Sequence, residues 1–183
     1  NIAFSRLILG GNLISGYSHS RDLAYVSQLM KRYNTEARIL NTLEIAEEHG
    51  INAINLSIWD DVSYLQKHWK NGGKMKLIAQ ALPNANLDQF KKAVDMGACA
   101  VHIQGHGAET LVKQGDLMEI DRIVFYLQSQ KVLAGVASHA LSVIVECEKI
   151  GLEADFYQKT IHSHEYPTAP RSGETGDLGT YDN

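Results

Sequence analysis

Histidines recur at the ends of apolar stretches in the second half of the chain. Five of them stand where such a stretch turns polar: His102, His106, His139, His162 and His164. Imidazoles bind divalent transition metals and move protons near neutral pH. Because the apolar stretches are predicted strands of one parallel sheet, their polar ends should converge. The sequence therefore predicts a divalent metal site with four histidine ligands: His106, His139, His162 and His164.

The first two histidines are four residues apart, which places His102 inside its strand and His106 on the loop that follows. We predict that both are catalytic, because a metal can polarise a carbonyl or hydroxyl group while a nearby imidazole moves the proton. Glu109 or Glu165 is expected to supply a carboxylate ligand. In the alternative interpretation, each histidine only caps a loop and hydrogen-bonds to backbone.

Lys159 is a further candidate for catalysis, because it lies in an apolar strand pattern. An ammonium group that loses its hydration has a lowered pKa and becomes a better nucleophile. Class I aldolases of the barrel type form a Schiff base on a lysine of the sixth strand. A Schiff-base aldolase is therefore an alternative function. Otherwise, Lys159 pairs with a carboxylate or extends outward between helices.

Four residues are predicted to bind the substrate. Asn12 follows two glycines, which allow a ligand to approach the backbone closely. Arg21 lies in the long polar segment after it, where a guanidinium could hold a carboxylate or phosphate. Trp59 beside Asp60 is suited to one wall of a sugar site, and Gln104 is a polar residue near the end of its strand.

Strands and helices alternate along the chain. The predicted strands are residues 6–12, 51–57, 74–82, 98–106, 132–138 and 154–161. The predicted helices are residues 35–49, 62–70, 86–96, 116–130 and 140–150, with a helical turn over 21–31. This alternation predicts right-handed βαβ units around a parallel sheet, and therefore an α/β fold.

Polar residues inside the strands favour one of two architectures. An open doubly wound sheet has near-continuous Val, Ile and Leu strands, whereas these strands contain Asn55, Gln80 and Gln158. A barrel accommodates polar side chains near its active-site end. We therefore predict a single domain, residues 1–183, with a TIM-type (β/α)8 barrel fold that lacks its last two strand–helix units. The open doubly wound parallel sheet is the alternative.

Residues 5–14, 101–107, 135–139 and 155–160 resemble an uncharacterised family of bacterial barrel proteins. That family is distantly similar to aldo-keto reductases and to sugar isomerase barrels. The resemblance covers most of the chain and implies a barrel whose further strands follow residue 183. The aldo-keto reductase pattern matches only at His102, since Gln80 stands where that family has a lysine. Nicotinamide-dependent reduction is therefore disfavoured.

Composition excludes some classes of protein. The net charge is −4 over 183 residues, and no Lys/Arg cluster indicates nucleic-acid binding. No apolar run approaches the ~18–20 residues of a membrane span. No targeting segment is visible, and the location is left open between a soluble cytoplasmic protein and one exported after removal of an unseen targeting segment. Homo-oligomerisation is left open.

The residues together predict a metal-assisted enzyme that acts on a carbohydrate-like small molecule. Isomerisation, epimerisation, elimination by a lyase and hydrolysis all fit a polarised carbonyl or hydroxyl group, and we favour a lyase or an isomerase. The cofactor is a divalent metal ion whose identity the sequence does not specify. A barrel that binds a ligand or assembles with a partner without catalysis is the non-enzymatic alternative.

Overall fold

The computed structural model describes residues 2–18, 23 and 25–160, which form an α/β fold. Its strands are β1 (Leu9–Gly10), β2 (Ala53–Ser57), β3 (Lys76–Ala81), β4 (Ala100–Ile103), β5 (Leu133–Ser138) and β6 (Phe156–Lys159). Its helices are α1 (Asn12–Ser15), α2 (Tyr25–Tyr33), α3 (Glu36–Glu48), α4 (Ser63–Lys70), α5 (Asp88–Asp95), α6 (Gly105–Lys113), α7 (Leu117–Ser129) and α8 (Leu141–Lys149). None of the helices in this part of the chain has the length and apolar character to cross a membrane.

The strands pair in parallel, as predicted. β2 pairs with β1 and with β3, and β5 pairs with β4 and with β6. Within each compact unit the strands follow the order along the chain: β1-β2-β3 in the first and β4-β5-β6 in the second. Parallel neighbours require a crossover connection, and the helices between the strands supply it.

The described residues form two compact units: those up to residue 80 together with 97–99, and residues 81–96 together with 100–160. The core of the first unit includes Leu43 of α3, Leu65 of α4 and Ile54 of β2, each almost fully buried. Helix α3 ends where Gly50 takes a φ of 80°, a left-handed conformation that favours glycine.

The second unit is built around β5, which contacts α6, α7, α8 and both neighbouring strands. Helix α7 buries four aliphatic side chains at helical spacing: Ile120, Ile123, Val124 and Leu127. Each such burial stabilises the fold by about 1.5–3 kcal/mol. The Asp116 side chain caps α7 by accepting a hydrogen bond from the backbone N–H of Glu119 at 3.2 Å. This packing holds the second unit together.

The prediction for the fourth strand is wrong at its C-terminal end. We expected the strand to continue to His106, whereas β4 ends at Ile103 and α6 begins at Gly105. Gln104 caps this helix, because its side-chain oxygen accepts a hydrogen bond from the backbone N–H of Gly107 at 3.1 Å. Two glycines in the first turn lower its helix propensity, so the sequence pattern is typical of a loop. His106 therefore lies on a helix and not on a loop.

The prediction for the N-terminal strand is too long. Only Leu9–Gly10 pair as a strand, and the predicted strand end at Asn12 is the first residue of α1. The predicted turn over residues 21–31 corresponds in part to α2, which spans Tyr25–Tyr33. Residues 19–22 and 24 are outside the described part of the chain.

A row of three paired residues crosses the second unit. The register pairs His102 of β4 with Gly135 of β5, and Gly135 with Phe156 of β6. Paired residues on adjacent strands share one face of the sheet, and the rings of His102 and Phe156 make an edge contact with centroids 6.2 Å apart. A Cβ atom on Gly135 would lie 2.5 Å from two atoms of the Phe156 ring. Gly135 therefore makes room for this contact.

We predict that Gly135→Ala lowers the free energy of unfolding by about 1–3 kcal/mol, because the added methyl group displaces the Phe156 ring. Gly10→Ala is the matched control, since a Cβ there meets no atom within 4 Å, and its effect should stay within about 0.5 kcal/mol. Urea denaturation measures both. Equal stability of the two variants would contradict the proposed packing.

Candidate metal centre

Glu109 lies between two histidines. Its Oε1 atom is 3.0 Å from Nδ1 of His139, and its Oε2 atom is 3.4 Å from Nδ1 of His106. The two imidazole rings face each other edge-on, with centroids 6.3 Å apart. One carboxylate therefore contacts both of the histidines that the sequence places at the ends of the fourth and fifth strands.

The two oxygens of Glu109 have different surroundings. Oε1 also accepts hydrogen bonds from the backbone N–H of His139 at 2.7 Å and from the Ser138 hydroxyl at 3.3 Å. Among the described residues, Oε2 has one contact, the long one with His106. Because Oε1 is already well supplied with donors, Oε2 is the oxygen with capacity to bind a cation.

Local structure explains how these three side chains meet. His106 and Glu109 are three residues apart on α6, and this spacing places two side chains on the same helix face. His139 directly follows β5. Its ring packs on Gly105, where a Cβ atom would lie 3.2 Å from Cε1 of His139. A glycine at the start of α6 thus lets the His139 ring approach the helix.

The carboxylate of Glu109 is stabilised in its charged form. Burial, the largest effect, acts to raise its pKa, and the side chain is only 7% exposed. Hydrogen bonds from the His139 side chain and backbone, with a smaller contribution from His106, outweigh burial and lower the pKa to about 2. Glu109 is therefore a buried anion at neutral pH, flanked by two nitrogen ligands.

His106, Glu109 and His139 are a group of side chains, within the described residues, that could hold a metal ion, and we call them the metal-binding group. Each offers one ligand atom, and these atoms lie within 4.8 Å of one another. Tetrahedral ligands at about 2.0–2.2 Å from a zinc ion are about 3.3–3.6 Å apart. The His106 side chain is 80% exposed, and exposed side chains change rotamer readily.

Three of the residues predicted as metal ligands therefore lie close together. The structure brings together His106, His139 and Glu109, which was one of two carboxylates proposed from the sequence. The other predicted members are outside the described residues: His162, His164 and Glu165. Sequence analysis missed the backbone N–H of His139 and the Ser138 hydroxyl, and only the position of Ser138 at the end of an apolar run pointed to them.

The two other predicted catalytic residues, His102 and Lys159, lie on strands β4 and β6. His102 is fully buried in β4, and this burial lowers its pKa to about 4 although a contact with the Ile103 carbonyl opposes the shift. Lys159 is half-buried on β6, and its ammonium group donates to the carbonyl of Thr160. Their catalytic roles stay predictions.

The predicted substrate-binding residues divide between the two units. Gln104 belongs to the second unit and uses its side-chain oxygen to cap α6. In the first unit, Trp59 donates a hydrogen bond from Nε1 to the hydroxyl of Tyr17 at 2.9 Å, and Tyr17 donates to Asp60 at 2.7 Å. Asn12 begins α1. The remaining residue, Arg21, lies outside the described residues. Their binding roles stay predictions.

A cavity of about 710 Å³ adjoins the metal-binding group within the second unit. Its walls are formed by residues 82–85, by α6 and by α7, and His106 and Gly107 line it. Pockets that bind small molecules have volumes of about 300–1,000 Å³. The cavity is therefore large enough for a small-molecule ligand, and one residue of the metal-binding group lines it.

Comparison with known proteins adds no family to these observations. No protein-family model matches the chain, and no curated protein sequence matches it. The function must therefore be inferred from the site.

We predict that the free energy of unfolding decreases as the pH falls from about 6.5 to about 4, because the His102 ring stays neutral in the folded protein. In this range the unfolded chain binds a proton at residue 102, whereas the folded protein does not, because the folded pKa is lowered from 6.5 to about 4. The stability that His102 contributes relative to acidic pH is fully present above pH 6.5, and its loss lowers the free energy of unfolding by at most about 3 kcal/mol.

Urea denaturation from pH 7 to pH 4 tests this prediction. His102→Gln should lose stability less steeply over the range than the wild type. An identical slope for His102→Gln and the wild type would contradict the prediction.

Proposed function

We propose that this chain holds a divalent metal ion on His106, Glu109 and His139 and uses it in a reaction of a carbohydrate-like small molecule. The observation that carries the proposal is the convergence of two imidazoles and one buried carboxylate within 4.8 Å. Two histidines and a glutamate are a donor set of catalytic zinc sites, which keep one position open for water or substrate. Zinc is therefore the first metal to test.

The position of the group supports a catalytic role over a purely structural one. His139 follows the C-terminal end of β5, and α6 follows the C-terminal end of β4. Parallel α/β folds carry their active sites at these strand ends. The exposed side chain of His106 also lines the 710 Å³ cavity, so a bound ligand can reach the metal-binding group.

The order of the strands favours the barrel over the open doubly wound sheet. A doubly wound sheet reverses its strand order at a switch point, whereas the order within each unit follows the chain, as β1-β2-β3 and as β4-β5-β6. We infer a winding of the (β/α)8 type from this order. It agrees with the resemblance to an uncharacterised bacterial barrel family, which rests on the quoted segments alone.

The chemistry can be divided between the metal and the protein. A bound divalent ion supplies Lewis-acid polarisation of a carbonyl or hydroxyl oxygen. Glu109 fixes the orientation of His139 through Nδ1 and through the backbone N–H. Isomerisation, epimerisation, lyase elimination and hydrolysis each require such a polarised oxygen and a proton transfer.

We expect purified protein to contain close to one equivalent of metal, and His139→Ala to lose it. Elemental analysis of both proteins measures this directly. His49→Ala is the matched control, because it removes an exposed histidine whose ring nitrogen Nδ1 lies 2.8 Å from the Ile45 carbonyl. Glu109→Gln should weaken Zn²⁺ binding by at least about 10-fold in a calorimetric titration.

Two outcomes would overturn the metal centre. The absence of metal in the wild type, together with no heat of Zn²⁺ binding, would leave Glu109 as a group that only orients His139. Equal metal content in His139→Ala and His49→Ala would mean that the ion binds elsewhere. The visible spectrum of the Co²⁺-substituted protein reports whether nitrogen ligands are lost in each variant.

A second experiment separates an enzyme from a ligand-binding protein. We predict that Zn²⁺- or Mn²⁺-loaded protein converts at least one member of a panel of neutral aldoses and ketoses, followed by proton NMR. Chelated protein and Glu109→Gln should show no conversion, because the polarising ion is absent or weakly bound. Metal binding without any conversion would support the non-catalytic alternative.

A further inference from the structure

The cavity beside His106 contains a guanidinium group that is already neutralised. Arg122 of α7 donates from Nε and from Nη2 to the two carboxylate oxygens of Glu119, each at 2.6 Å. Nη2 also donates to the backbone carbonyl of Ala85 at 3.2 Å. A bidentate pair of this kind is the arrangement in which arginine binds an anion, and here Glu119 occupies the place of that anion.

The charges on the cavity wall do not favour an anionic ligand. Among the described residues of the wall, the formally charged side chains at neutral pH are Asp116, Glu119 and Arg122. Two carboxylates and one guanidinium leave a net negative charge. A phosphate or carboxylate on the ligand would be repelled by Asp116, while Arg122 is committed to Glu119.

Other polar groups in the wall are available as hydrogen-bond acceptors. The hydroxyl of Thr110 donates to the carbonyl of His106 at 2.8 Å, so its oxygen remains able to accept. Asp116 uses Oδ1 to cap α7, and a carboxylate has several further acceptor sites. Pro83 and Leu111 add apolar surface. A ligand with hydroxyl groups and C–H faces would satisfy both kinds of surface.

We propose that this cavity binds an uncharged polyhydroxy compound and discriminates against its phosphorylated form, with the Arg122–Glu119 pair as the determinant. The inference deepens the proposed function, because the ligand is the substrate that reaches the metal centre at His106. The volume of about 710 Å³ accommodates a monosaccharide or a disaccharide. Specificity then has two sources: the cavity wall repels a phosphate on the ligand, and it accepts hydrogen bonds from the hydroxyl groups of the ligand.

The test compares D-glucose with D-glucose 6-phosphate, which differ only in the phosphate group. Saturation-transfer NMR and calorimetry measure the binding of each sugar to the full chain, with and without Zn²⁺. We expect the metal-free wild type to bind glucose at least 10-fold more tightly than glucose 6-phosphate, and the samples with Zn²⁺ show what a cation at His106 adds to the binding of each sugar. Tighter binding of the phosphorylated sugar, or binding of neither sugar, would overturn the proposal.

The Glu119→Gln variant tests the role of the ion pair. It releases Arg122, so we expect binding of glucose 6-phosphate to become at least 10-fold tighter relative to binding of glucose. The double variant Glu119→Gln/Arg122→Gln should lose that gain, and circular dichroism checks that both variants are folded. An unchanged ratio of the two affinities in folded Glu119→Gln would contradict the role of Arg122.

A matched control exists on α8. Lys149 and Glu146 form an ion pair with the same spacing of three residues and a distance of 2.7 Å, and neither residue lines the cavity. Glu146→Gln therefore changes the net charge by the same amount without releasing a cation into the cavity. Its ratio of glucose to glucose 6-phosphate binding should equal that of the wild type, and a ratio as altered as in Glu119→Gln would overturn the proposal.

The design also separates this inference from the metal centre. If Zn²⁺ binds but neither sugar does, the cavity proposal fails while the metal centre stands. If no metal binds but metal-free protein prefers glucose to its phosphate, the metal centre fails while the cavity keeps its specificity. Tighter glucose binding in the presence of Zn²⁺, lost in His139→Ala, supports both together.

Discussion

The buried charge of Glu109 is the constraint on which the candidate site depends. A carboxylate that is 7% exposed requires partners, because an unpaired buried charge is costly. Its partners are the imidazole and backbone of His139, the Ser138 hydroxyl and the ring of His106. The need to satisfy this one charge therefore brings the start of α6 and the end of β5 together.

Hydrophobic periodicity was sufficient to predict the main features of the fold. The strands β2, β3 and β5 and the helices α3, α4 and α7 have apolar positions at regular spacing, and they occur close to where the sequence predicts them. The start of α6 could not be predicted in this way. Gly105 and Gly107 have poor helix propensity, and the helix depends on the Gln104 cap and on close packing that the pattern does not contain.

The sequence was sufficient to predict which residue types form the candidate site, but not how these residues are arranged in space. The recurrence of histidine after apolar runs pointed to His106 and His139, and Glu109 was a carboxylate within reach. Glu109 contacts both histidines because it lies three residues from His106 on α6. The sequence predicts a loop at residue 106, so it does not predict this helical spacing. The role of Arg122 and Glu119 in the cavity could not be predicted either. Oppositely charged residues three apart are common on the exposed face of any helix.

The two glycines of the first turn of α6 make this helix dependent on its surroundings. A Cβ atom at Gly107 would lie 2.6 Å from Pro83, and one at Gly105 would lie 3.2 Å from the His139 ring. A larger residue with better helix propensity would therefore clash at either position. The start of α6 thus depends on its contacts with neighbouring residues more than on its own helix propensity. Loss of the contact between Glu109 and His139 would free the first turn to unwind locally. The same few contacts that assemble the site thus also decide whether this end of α6 stays folded.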